Sequence, residues 1–74
     1  MKIGQMANYT SFLEGEIYKT LMIQLVSETK TEWRFRIDTS NSYHLTVSKN
    51  VGFDHTWFSG ENDTIKRRTL IEPF

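Results

Sequence analysis

Seventy-four residues, 38% hydrophobic and 24% charged, bound the chain to a single domain over residues 1–74. Nine Lys and Arg balance nine Asp and Glu for a net charge of 0, which argues against a dedicated polyanion binder and against an acidic nucleic-acid mimic. There is no cysteine, which excludes a disulfide scaffold, a thiolate nucleophile and Cys-based metal sites, and no apolar run approaches the length of a membrane-spanning helix.

The stretch from Met1 to Asn8 carries one lysine but lacks the apolar run of a secretory signal, so a cytoplasmic protein is the expectation. Ser11-Phe12-Leu13-Glu14 has the form of a helix capping box, and Phe12, Leu13 and Ile17 fall on one helical face. Gly15 would interrupt a longer helix at a cost of roughly 1 kcal/mol relative to Ala. These features predict a short helical element over residues 9–14 and a long, bent strand from Glu16 onward.

From Leu21 the organising signal is a two-residue period. Leu21, Ile23 and Leu25 alternate with Met22, Gln24 and Val26; Trp33, Phe35 and Ile37 alternate with Arg34, Arg36 and Asp38. Tyr43, Leu45 and Val47 alternate with His44, Thr46 and Ser48, and Phe53, His55 and Trp57 alternate with Asp54, Thr56 and Phe58. Half-buried antiparallel strands read this way. Turn-forming residues separate them, in residues 27–31, 39–41, 49–52 and 60–63, and loops this short force hairpins. A fifth strand follows over residues 64–72, with Ile65 opposite Trp57 and a bulge or an edge position near Thr69.

A one-residue slip flips a strand's faces, so register can be tested by parity. Leu25 opposite Trp33, Ile37 opposite Tyr43 and Val47 opposite Phe53 all join apolar to apolar, and Gly52 falls where a short loop favours positive φ. The expected fold is mainly β: one curved, antiparallel, five-stranded meander, able to roll into a small barrel, with a short N-terminal helical element. Both tryptophans face inward, among Leu25, Val47, Tyr43 and Ile65.

No chemistry-bearing motif stands out. His44 and His55 point to opposite faces, so they cannot share a metal, and no ligand spacing accompanies either. Asp54 and His55 are adjacent but point apart; Asp54 instead faces Arg68 across the sheet. No nucleophile elbow, P-loop, dinucleotide fingerprint or zinc-protease motif occurs. Neither a catalytic activity nor a cofactor is expected.

The outer face is more informative. Arg34, Arg36, His44, Lys66 and Arg68 gather there with Phe58, a composition of arginine and aromatic that binding hot spots favour. These six form the expected contact surface. The reading is a non-catalytic protein–protein interaction module, an inhibitor or adaptor of the kind phages and mobile elements encode, acting on a larger protein or ribonucleoprotein. One alternative is a nucleic-acid-binding β module using the basic strip. The other is a homo-oligomeric structural subunit, with a homodimer its simplest form.

Overall fold

The computed structural model describes residues 1–37 and 43–74. Six strands form a single antiparallel sheet: β1 (Met6–Leu13), β2 (Glu16–Glu28), β3 (Glu32–Ile37), β4 (His44–Ser48), β5 (Asp54–Ser59) and β6 (Ile65–Pro73). Their spatial order is β4-β3-β2-β1-β6-β5, and the sheet curls into a half-barrel. The mainly-β, antiparallel, curved architecture is the one the alternation predicts, with six strands in place of five.

The helical element expected over residues 9–14 is a strand instead. Ala7, Tyr9 and Ser11 alternate inward while Asn8, Thr10 and Phe12 face out, and Glu14 and Gly15, at φ 53° and 84°, make the two-residue turn of a β1–β2 hairpin. Two consecutive positive-φ residues match the right-handed twist of the flanking strands, and glycine supplies the second without a steric cost. The hairpin ladder slips once, between Ser11 and Phe12, where Tyr18 is the extra residue on β2.

That first strand reorganises the rest. β1 pairs with β2 on one side and with β6 on the other, from Ala7 opposite Pro73 to Leu13 opposite Arg67. β6 therefore lies inside the sheet, and β5, which it carries, lies at the far edge from β4. The expected β4–β5 hairpin, with Val47 opposite Phe53, does not form. Both strands have an apolar inner face, so parity alone could not tell a hairpin from a crossing between opposite edges.

Other registers follow the apolar faces closely. Phe35 sits opposite Leu45 and Trp33 opposite Val47, as expected. Leu25 lies opposite Phe35, two residues from the expected Trp33: the turn sets Glu28 opposite Trp33, and a bulge at Val26 then shifts the ladder by one residue. Likewise Ile65 pairs with Ser59 and Trp57 with Arg67. The inner face is unchanged by either shift. The turn expected at residues 39–41 falls outside the described residues.

Ala7, Ile23, Leu25, Phe35 and Ile71 form the buried core on the concave face. Phe53, carried by the β4–β5 crossing, plugs one end of the half-barrel. Its ring lies 4.3 Å from that of Trp33 and 6.4 Å, edge-on, from that of Phe35. Turn amides at Val51 and Gly52 both donate to the Ser48 carbonyl and fix this crossing. Tyr43, expected among the core neighbours, is instead 68% exposed.

Among the described residues two surface ion pairs tie distant segments, Glu28 with Lys49 and Asp54 with Arg68, the latter through two 2.8 Å hydrogen bonds. Hydrogen bonding from Arg68 holds the Asp54 carboxyl below its ordinary value, and Lys49 does the same for Glu28. A depressed carboxyl stabilises the fold above the unfolded value of about 4, and that contribution is lost as pH falls through the lower folded value. Urea midpoints should therefore decline between about pH 5 and pH 2, and Asp54→Asn should decline less steeply. Parallel profiles for the two proteins would assign the acid sensitivity elsewhere.

Candidate functional site

The six residues expected to form one outer surface lie on the convex face but fall into two groups. Arg34, Arg36 and His44 stand on β3 and β4; Phe58, Lys66 and Arg68 stand on β5 and β6, with β2 and β1 between the groups. Two of the arginines are already engaged. The Arg36 guanidinium donates to Gln24 Oε1 at 2.8 Å, with its Nε buried and unpartnered. Arg68 is held by Asp54 and lies 5.2 Å from the Phe12 ring centroid. Arg34, His44 and Lys66 keep exposed positions, and Phe58 is 55% exposed at the β5 edge.

His44 and His55 stand on opposite edge strands and opposite faces. His55 lies against Trp57, rings stacked at 5.2 Å. Among the described residues no three His, Asp or Glu side chains gather as metal ligands.

The concave face holds what alternation alone did not reveal. Beyond the Phe53 plug the trough is unfilled and divides into two cavities that share Tyr9 and Leu45. One, of about 380 Å³, lies beneath the gap between the β4 and β5 edges, against Val47, Val51, Trp57 and Ile71. The other, of about 310 Å³, opens along the β1–β2 arm and is lined by Ser11, Tyr18, Lys19, Leu21 and Ile37. Burial raises the Tyr9 phenol above its ordinary value, against the opposing effect of a hydrogen bond with Ser11.

Tyr18 reaches this second cavity because of the slip in the β1–β2 ladder. In an unbroken strand Tyr18 and Lys19 would face opposite sides. The extra residue re-aims the chain so that both line the same cavity, a recurrent use of β-bulges. Tyr18 stays 66% exposed, so its ring has contact area to give. Two tyrosines, three aliphatic side chains and a cation thus share one concavity.

No family model, no curated protein and no solved structure matches the chain.

Proposed function

We propose that this protein is a non-catalytic protein-binding module, an inhibitor or adaptor for a larger macromolecular partner, and that it binds through the trough end lined by Tyr18, Lys19, Leu21 and Ile37. The observation that carries this reading is the bulge that sets Tyr18, largely exposed, over an unfilled apolar cavity. Protein-binding hot spots combine aromatic anchors, apolar floor and a polar rim in this way. A small-molecule pocket usually encloses most of its ligand, whereas this concavity is a shallow trough beside an exposed strand. The convex residues are the second surface: the separation of Arg34 and His44 from Lys66 and the engagement of Arg36 and Arg68 weaken a single phosphate-tracking strip.

Affinity capture from host lysate, with and without nuclease, separates these readings. A protein should be retained after nuclease, and its affinity should fall at least about tenfold for Tyr18→Ala, the loss of a hot-spot ring. Phe58→Ala, on the convex face, should change affinity less. Release by nuclease, with a loss of about a thousandfold between 50 and 200 mM salt, would replace this reading with nucleic-acid binding. Retention unchanged in Tyr18→Ala but lost in Phe58→Ala would move the contact to the convex face.

A further inference from the structure

We propose that the outer edge of β5 pairs, antiparallel and about a twofold axis at Thr56, with the β5 edge of a second copy of this chain. In an antiparallel ladder, both backbone groups of a residue point to the same side, and the side alternates along the strand. The Ile71 amide donates to the Phe53 carbonyl at 2.7 Å, and the β5–β6 register is unbroken from Asp54 to Ser59. His55, Trp57 and Ser59 therefore bond to β6, while Asp54, Thr56 and Phe58 aim their N–H and C=O groups away from the sheet. Among the described residues no strand pairs with that side.

Edge strands of monomers are commonly guarded by lysine, proline, a bulge or a very short length. β5 has none of these. It is six residues long, its ladder is regular, and its one charge, Asp54, is paired with Arg68. β4 offers less: it has five residues, and the carbonyl of its last, Ser48, is taken by the following turn.

Self-pairing at Thr56 also gives compatible side-chain neighbours. Thr56 meets its own copy, His55 meets Trp57 of the second copy, and Asp54 meets Phe58. Aromatic and Thr–Thr cross-strand pairs are favourable, and no like charges oppose. The intrachain His55–Trp57 stack would extend across the axis into four rings. Need for burial points the same way, since the described residues bury only five apolar side chains while Phe58 stays 55% exposed. Domains of this size often complete their burial by association. No residue of β5 or β6 lines the Tyr18 cavity, so the pairing is separate from the proposed partner site.

Sedimentation equilibrium from micromolar to millimolar protein tests the pairing. The wild type should approach twice the 8.8 kDa chain mass, and hydrogen exchange at Asp54, Thr56 and Phe58 amides should slow as concentration rises, with His55 and Trp57 unchanged. Thr56→Pro removes only an outward N–H, and Thr56→Lys sets two ammonium groups against each other; both should be folded monomers. Tyr18→Ala should leave the dimer intact. A wild type that stays monomeric throughout, or dimers that persist in Thr56→Lys, overturns the proposal. Should Thr56→Pro fail to fold, Thr56→Lys and the exchange pattern decide it.

Discussion

Phe35→Ala should leave most of the chain unfolded at 25 °C. Phe35 is fully buried at the centre of the concave face, opposite Leu25 on one side and Leu45 on the other, with the Phe53 ring edge-on above it. Truncating a buried phenylalanine costs about 3–5 kcal/mol, from lost transfer energy and from the cavity left behind. A single core in a chain of this size rarely supplies more than about 3–5 kcal/mol of net stability. The two quantities are comparable, so the mutant has little or no margin. Far-UV circular dichroism and urea titration would show it, and a native-like transition displaced by less than about 1 kcal/mol would mean that Phe53 or Trp33 refills the space.

Gly60→Ala carries the second largest effect, about 2 kcal/mol, for a backbone reason. Gly60 closes β5 at φ 80° and ψ −174°, a region that residues with a side chain essentially avoid. A methyl group there would also stand 2.7 Å from Ile65 Cδ1, so the first residue of β6 must rotate away. Gly15→Ala makes the useful comparison: its φ of 84° is equally left-handed, but the added carbon meets nothing within 4 Å. The urea midpoint should fall further for Gly60→Ala than for Gly15→Ala. Equal losses would show that a positive φ alone sets the cost, and that neither the ψ of Gly60 nor its contact with Ile65 adds to it.

Much of the sheet was legible because one face had to be apolar. The pairing of Phe35 with Leu45 and of Trp33 with Val47 follows from alternation and a short connection, and the Asp54–Arg68 pair follows from the face they share. What alternation cannot supply is the identity of a strand's neighbour when several strands present the same inner chemistry. The capping-box pattern of Ser11-Phe12-Leu13-Glu14 hides β1, and the short connection with the matching parity of Val47 and Phe53 points β5 to β4, where the sheet instead places them at opposite edges. The Glu14-Gly15 pair held the missing information. An unbroken ladder from that two-residue turn would set Tyr9 opposite Thr20, whereas the apolar faces require Leu21. Only an inserted residue reconciles the two, and that residue is Tyr18, the side chain on which the proposed site depends. The six convex residues were legible as a face but not as a patch, since patch membership depends on strand order.

The pairing of Ala7 with Pro73 and of Leu13 with Arg67 sets a kinetic condition on this fold. The β5–β6 pair joins the rest of the sheet only through β1, and that step must close more than fifty intervening residues between Leu13 and Arg67. Non-local closure of this kind is slow, on the order of milliseconds to seconds for small β proteins. Stopped-flow refolding should accordingly show a slow, single-exponential recovery, limited by the β1–β6 closure, since the β1–β2, β2–β3, β3–β4 and β5–β6 pairs all join strands adjacent in sequence.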